Sequence, residues 1–245
     1  MRNLTLPLIL LLWLAAPAAR AAEGCIVMIP DIGRPQASLD YAAQYLATKG
    51  YEVHIAPLPI QTDKQHYTLE GIANHDLAPF IEEACAFYKP RVDFVTYGLG
   101  AMVLNQYMFD HDIVNLGRVV MVEPPVYNKQ MMEEIHTQHP LYQQYIRNYT
   151  NRSKLEPRLR VKVSRMWEIP VGVVAYDESL GYKYGEKKSQ KENEEKKISR
   201  DLFVPGMQDE VYLKASPELI MHNEAAMQNA VYFLRNGTFD HGEEE

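Results

Sequence analysis

The chain has 245 residues, which is within the range of a single α/β domain and is enough to bury a sizeable core. Its formal net charge of −7 argues against a nucleic-acid partner, because binding to phosphates needs a basic face. Beyond the N-terminal region, no apolar run is long enough to predict a membrane-spanning helix.

The first 21 residues have the pattern of a secretory signal peptide. Arg2 precedes an apolar run over residues 4–16, and Ala19-Arg20-Ala21 is typical of a cleavage site. A membrane anchor is the alternative, but the run is shorter than the roughly 20 residues that a spanning helix needs. We therefore expect cleavage after Ala21, a single mature domain over residues 22–245, and a periplasmic or secreted protein.

The chain contains two cysteines, Cys25 and Cys85. An even number of cysteines in an exported protein predicts a disulfide, so we expect these two residues to be bonded. Both are expected near the N-terminal edge of a parallel sheet, which makes the bond geometrically plausible. Lipid modification of Cys25 is the alternative, but the preceding residues 22–24 lack the apolar residue that a lipobox requires.

Apolar runs of strand type alternate with amphipathic runs of helix type from residue 25 onward. Strands are predicted at residues 25–29, 51–56, 92–97, 118–122, 171–176 and 211–213. Helices are predicted at residues 38–49, 77–88, 101–108 and 223–235, and residues 61–76 are predicted to be loop with a short helix. This alternation is typical of a mostly parallel sheet with right-handed crossovers and helices on both faces.

Three segments interrupt the alternation. Residues 126–166 are rich in Met, Gln, Tyr and Arg and are predicted to form a cap over the C-terminal ends of the strands. The tyrosines of this segment either line a pocket or pack the cap onto the body. Residues 182–197 are dense in Lys and Glu and are predicted to form a solvated, charged loop. Residues 240–245 are predicted to be an acidic tail.

No metal or cofactor site is expected. His111 lies between two aspartates after a predicted helix, but no third ligand is found at a usable spacing. His54 lies within a predicted strand and is expected to be structural. His222 is expected on the surface near the start of the last helix.

Five stretches of the sequence resemble the exported bacterial lipase/esterase-like branch of the α/β-hydrolase superfamily. They are residues 25–34, 95–100, 116–125, 204–207 and 233–239, in the order that the family has them. The resemblance covers nearly the whole mature chain and implies the α/β-hydrolase fold. It also places Val95-Thr-Tyr-Gly-Leu-Gly100 at the strand–turn–helix elbow that holds the catalytic serine in this superfamily.

The sequence departs from this family at the catalytic positions. Gly98 stands at the nucleophile position, and Pro217 stands at the position of the catalytic histidine. The acid position is either Glu194 or Asp177. The oxyanion loop has Pro30-Asp31 in place of the family's His-Gly pair, and Asp31 is expected to repel a developing oxyanion near the Leu99 amide.

A serine hydrolase needs a hydroxyl, a base that takes its proton and an acid that orients the base. With the first two groups replaced, we expect a catalytically inactive pseudo-lipase or pseudo-esterase that binds an apolar or acyl-type ligand, or a protein partner, in the cell envelope. The expected pocket residues are Pro30, Asp31, Ile32, Tyr97, Leu99 and Pro124. The alternatives are an active carboxylic ester hydrolase with rearranged catalytic residues, and a structural protein whose pocket is filled.

Overall fold

A computed structural model describes residues 23–59, 68–85, 91–112, 115–124, 168–176, 204 and 206–242. The predicted signal peptide, the cap over residues 126–166 and the charged loop over residues 182–197 lie outside these residues, as do the last three residues of the acidic tail. None of the helices within the described ranges has the length and apolar character that crossing a bilayer requires.

Six strands form one sheet in which every neighbouring pair is parallel. The strands are β1 (Cys25–Ile29), β2 (Glu52–Ile55), β3 (Val92–Tyr97), β4 (Leu116–Val122), β5 (Val171–Tyr176) and β6 (Met207–Leu213). Their order across the sheet is β2-β1-β3-β4-β5-β6. The predicted parallel sheet is confirmed, and strand β6 begins four residues before the predicted start at residue 211.

The central strands are apolar on both sides because each side of the sheet carries its own hydrophobic core. In β1, Ile26 and Met28 belong to one core, while Val27 and Ile29 belong to the other. All five residues of β1 are fully buried. A continuous apolar run is therefore what this position in a parallel sheet requires.

Helices cover both faces of the sheet. The α-helices are α1 (Asp40–Thr48), α2 (Leu69–Gly71), α3 (Ala78–Ala84), α4 (Gly100–Asp110) and α5 (Glu224–Asn236). Helices α1 and α5 contribute Leu46 and Phe233 to one core. Helices α2, α3 and α4 contribute to the core on the opposite face, for example through Ile81 and Leu104. The predicted arrangement of helices on both faces is confirmed.

The helix predicted at residues 77–88 starts earlier than the sequence indicated. A π-helical stretch, Ile72–Leu77, joins α2 to α3, so the chain is helical from Leu69 to Ala84. The hydroxyl of Thr68 accepts a hydrogen bond from the Gly71 amide at 2.9 Å and caps the first turn. The short helix predicted within residues 61–76 is present, and the sequence did not indicate that it continues into α3.

A disulfide joins Cys25 at the start of β1 to Cys85 immediately after α3. The two Cα atoms are 6.1 Å apart, within the usual range for bonded cysteines. The predicted pairing is confirmed. The bond fixes the end of the helical segment to the N-terminal edge of the sheet.

Candidate functional site at the end of strand β3

Gly98 forms the turn between strand β3 and helix α4. Its φ of +53° is in the left-handed region that favours glycine. Its amide donates a hydrogen bond to the carbonyl of Val122 on strand β4 at 3.0 Å, so the turn is anchored to the neighbouring strand. The turn lies at the C-terminal edge of a parallel sheet, where open α/β folds place their binding sites.

Gly100 lets the start of helix α4 approach the end of strand β1 closely. A Cβ atom on this residue would lie 2.5 Å from the carbonyl oxygen of Pro30 and 2.7 Å from that of Ile29. A side chain of any size here would push the helix away from β1. The close approach also brings the loop after β1 against the Gly98 turn.

The carboxylate of Asp31 fills the space in which a side chain on Gly98 would begin. A Cβ atom on Gly98 would lie 2.7 Å from both Cγ and Oδ1 of Asp31 and 3.1 Å from Oδ2. Oδ1 also accepts a hydrogen bond from the backbone amide of Leu99 at 2.9 Å. Asp31 therefore occupies the space beside Gly98 and accepts the hydrogen bond of the first backbone amide after Gly98.

The charge of Asp31 is only partly compensated. The residue is 8% exposed, and burial raises the pKa of its carboxyl above the ordinary value of 3.8. The Leu99 amide, the Arg34 guanidinium and the Ile32 amide oppose this rise. Arg34 Nε lies 3.7 Å from Asp31 Oδ2, and the guanidinium carbon lies 5.9 Å from the centroid of the Tyr97 ring.

A second buried carboxylate, that of Glu123, lies at the same edge of the sheet. Glu123 directly follows strand β4 and is 1% exposed, and its carboxylate accepts a hydrogen bond from the amide of Tyr176 at the end of β5. Its φ of +47° is rare for a residue other than glycine and stores backbone strain on the order of 1–3 kcal/mol. The sequence interpretation missed Glu123. The signal was an acidic residue directly after a buried strand, next to the strand that carries Gly98.

The residues expected to line a pocket are mostly buried. Pro30, Tyr97, Leu99 and Pro124 are buried, and Ile32 is half-buried and packs against the core on the α4 face of the sheet. Together with Asp31, they lie at or just after the ends of the adjacent strands β1, β3 and β4. The structure therefore brings the predicted residues to one edge of the sheet.

The other residues considered as catalytic groups lie elsewhere or outside the described part of the chain. Pro217 begins a 3₁₀ helix, Pro217–His222, after strand β6. Asp177 and Glu194 lie outside the described residues. His222 is exposed and stacks on Tyr41 of helix α1, with ring centroids 5.9 Å apart.

His111 belongs to a polar cluster at the far end of helix α4 from Gly98. Its Nε2 lies 2.5 Å from Oδ1 of Asn74, and its ring stacks on Tyr107 with centroids 4.6 Å apart. Asp110 accepts hydrogen bonds from Asn74 and Gln106 in the same cluster. These contacts join helix α4 to the π-helical stretch and give His111 a structural setting.

No protein-family profile matches the sequence, and no curated protein matches it either. Solved structures do match its fold. A lipase-esterase related protein from Clostridium acetobutylicum has a TM-score of 0.52 and 15% identity, covering 86% of this chain and 95% of its own. A probable hydrolytic enzyme from Pseudomonas aeruginosa has a TM-score of 0.53 and 11% identity, and the match covers 88% of this chain and 86% of that enzyme.

A thioesterase domain from the curacin biosynthetic pathway is similar to the same extent, with a TM-score of 0.52 and 14% identity over 89% of this chain and 92% of its own. Identities this low establish the fold alone. The parallel sheet, its strand order and these structural likenesses lead to one conclusion: the chain has the α/β-hydrolase fold.

Proposed function

We propose that this protein is a catalytically inactive relative of lipases and esterases that acts by binding a ligand or a protein partner in the cell envelope. The observation that carries the proposal is the position of Asp31. Its carboxylate takes the space beside Gly98 and accepts the Leu99 hydrogen bond. In a serine hydrolase the same space belongs to the nucleophile, and the amide after the nucleophile stabilises the oxyanion.

Two further substitutions support the loss of serine chemistry. Gly98 at the nucleophile position has no hydroxyl, and Pro217 at the base position has no group that takes up a proton. Acyl transfer through a serine needs both groups within hydrogen-bond reach of each other. A negative carboxylate beside the elbow would also oppose the charge that develops on the carbonyl oxygen of an ester.

The same geometry limits the chemistry of a bound ligand. A carboxylate or another anionic group near Leu99 would meet the charge of Asp31 and an amide that already has an acceptor. The surrounding residues Pro30, Tyr97, Leu99 and Pro124 are apolar over most of their surface. These features favour an uncharged, apolar or acyl-type ligand. The predicted signal peptide and the Cys25–Cys85 disulfide support an exported protein.

Hydrolysis of p-nitrophenyl esters tests the loss of activity. We expect the purified protein to release no p-nitrophenol above buffer from short-chain or medium-chain esters. Asp31→Asn and Gly98→Ala are the matched variants, because each changes one side of the contact at the elbow. The proposal would be contradicted if the native protein hydrolyses the esters and Asp31→Asn or Gly98→Ala abolishes this turnover. That result would favour the active ester hydrolase with rearranged residues.

Thermal stabilisation by paired ligands tests the proposed binding mode. A medium-chain alcohol and the fatty acid of the same length differ only in their head group. We expect the alcohol to raise the melting temperature and the ionised acid to have little effect, because ligands stabilise the state that they bind. In the Asp31→Asn variant, which lacks the negative charge, the ionised acid should raise the melting temperature more than it does in the native protein. Equal stabilisation of the native protein by both ligands would contradict the inferred role of Asp31.

A further inference from the structure

Side chains that bind transition metals converge where strands β1 and β2 begin. The sulfur of Cys25, a carboxylate oxygen of Glu52 and a ring nitrogen of His54 all lie within 4.8 Å of one another. In the parallel register of the two strands, Cys25 pairs with Glu52 and Val27 pairs with His54. Because alternate residues of a strand share a face, the three groups lie on the same side of the sheet.

Cys85 supplies a second sulfur next to this group, because it is bonded to Cys25. The four residues come from β1, β2 and the end of α3. Their spacing in the sequence does not resemble a metal motif, since Cys25 and Cys85 are 60 residues apart. The folded chain, and not a local pattern, brings them together.

The oxidised and reduced forms of this cluster differ in chemistry. A thiolate binds metal ions, whereas a sulfur in a disulfide has no charge to offer. In the oxidised protein only Glu52 and His54 remain, and their side chains contact each other, with Glu52 Oε1 3.0 Å from His54 Nε2. In the reduced protein, two thiolates, one imidazole and one carboxylate would be available, and all three side-chain types bind Zn²⁺ in four-coordinate sites.

We propose that the reduced protein binds Zn²⁺ through Cys25, Cys85, Glu52 and His54, and that formation of the disulfide excludes the metal. A dithiol reductant supplies two electrons and two protons, breaks the sulfur–sulfur bond and is itself oxidised to a disulfide. Zn²⁺ then displaces the two thiol protons and forms two zinc–sulfur bonds. Reoxidation returns two electrons to an acceptor, such as an oxidised dithiol, and releases the ion.

The burial of the cluster fits this role. Cys25 is fully buried and Cys85 is 7% exposed, which protects the two sulfurs from solvent. The side chains of His54 and Glu52 are 31% and 35% exposed, so an ion from solvent can reach these two ligands first. The zinc ion would hold together β1, β2 and the end of α3 before the disulfide forms.

Thermal unfolding with and without Zn²⁺ tests the proposal. The protein is reduced with a phosphine, which does not compete as a thiol ligand, and is compared with the oxidised protein. We expect Zn²⁺ to raise the melting temperature of the reduced protein only. His54→Gln should weaken zinc binding to the reduced protein by at least about 10-fold. His222→Gln, which replaces an exposed histidine elsewhere, is the matched control and should bind zinc like the native sequence.

The Cys85→Ser variant provides a test that needs no reductant. It prevents the disulfide and keeps Cys25, Glu52 and His54, so we expect it to bind Co²⁺ with a sulfur-to-metal charge-transfer band that the added His54→Gln change weakens. If the reduced protein is unfolded without metal, Zn²⁺ should restore its circular dichroism spectrum. Equal binding by the oxidised protein, no effect of His54→Gln, or no response to zinc in the reduced protein would overturn the proposal.

Discussion

The backbone amide of Leu99 donates a hydrogen bond to Oδ1 of Asp31 at 2.9 Å, across 68 residues of sequence. The contact joins the loop after strand β1 to the N-terminus of the eleven-residue helix α4. The partial positive charge at a helix N-terminus favours an anion, which helps to hold the buried carboxylate there. The contact thus places a buried carboxylate directly against the turn that follows strand β3.

Replacing Gly98 by serine should destabilise the protein. The positive φ of this residue is unfavourable for serine by roughly 1–3 kcal/mol, and moving the Asp31 carboxylate aside should add a loss of similar size. Gly98→Ala separates the effect of the Cβ atom from that of the hydroxyl and should destabilise by a comparable amount. Denaturant unfolding measures both changes. A serine variant at least as stable as the native protein would contradict the described elbow.

The double variant Gly98→Ser/Asp31→Ala divides the destabilisation into its two causes. Removing the carboxylate relieves the steric clash but leaves the backbone strain at residue 98. We therefore expect the double variant to recover part of the loss, with a coupling energy between the two positions. Strict additivity of the two single changes would show that Asp31 does not occupy the space beside residue 98.

Asp31→Asn should make stability less dependent on pH. Burial raises the pKa of Asp31 in the folded protein above 3.8, so the folded state binds the proton more tightly than the unfolded state. The contribution of Asp31 to stability therefore falls as pH rises from about 3.8 through its folded-state pKa. Relative to native protein, Asp31→Asn should gain stability towards neutral pH, since an amide oxygen still accepts the Leu99 hydrogen bond.

Unfolding curves at a series of acidic to neutral pH values measure this difference. Asp112→Asn removes an exposed carboxylate and controls for the loss of one negative charge. If the stability that Asp31→Asn gains over the native protein increases towards acidic pH instead of towards neutral pH, the prediction is contradicted.

Replacing Gly100 by alanine should also destabilise the protein, by about 1–3 kcal/mol. The new methyl group would meet two backbone carbonyl oxygens, those of Ile29 and Pro30, which cannot turn away as a side chain would. Gly24→Ala is the matched control, because a Cβ atom there has no neighbour closer than 3.7 Å. We expect the control to change the free energy of unfolding by less than about 0.5 kcal/mol. Similar losses at the two glycines would contradict the close approach of α4 to β1.

Removing the disulfide should lower stability substantially. The bond closes a loop over a sequence separation of 60 residues, for which loop-closure entropy predicts a loss of ~4 kcal/mol. Unfolding of the Cys25→Ser/Cys85→Ser variant by denaturant measures this loss. Unfolding of the native protein in reductant without metal should give a similar value. An unchanged unfolding midpoint in both experiments would show that the two cysteines are not bonded in the folded protein.

Most of the fold could be predicted from the sequence because buried parallel strands leave long apolar runs. Strands β1, β3 and β5 lie where those runs are, and Gly98 marks the turn after β3. The continuation of the short helix at Leu69 into α3 was missed because the π-helical stretch Ile72–Leu77 contains Asn, His and Asp and departs from the spacing of an α-helix. The polar, half-exposed start of β6 likewise shows little strand signal.

The candidate site was less predictable, since its contacts join residues far apart in the chain. The sequence indicated that Asp31 lies near the Leu99 amide, but not that it accepts the hydrogen bond of that amide. The position of Glu123 directly after a buried strand was a signal, but it does not by itself show whether the glutamate is buried or exposed. The donor to its carboxylate, the Tyr176 amide, comes from another strand.

Labelling with a fluorophosphonate probe, read by intact-protein mass spectrometry, tests the central claim most directly. The probe modifies an activated serine whatever the substrate of the enzyme is, so the measurement does not depend on choosing the right ester. We predict no added mass on this protein, while an active serine hydrolase in the same solution is labelled completely. An adduct on a serine that forms with the native protein, but not with protein denatured by heat before the probe is added, would contradict the account and reveal an active hydrolase.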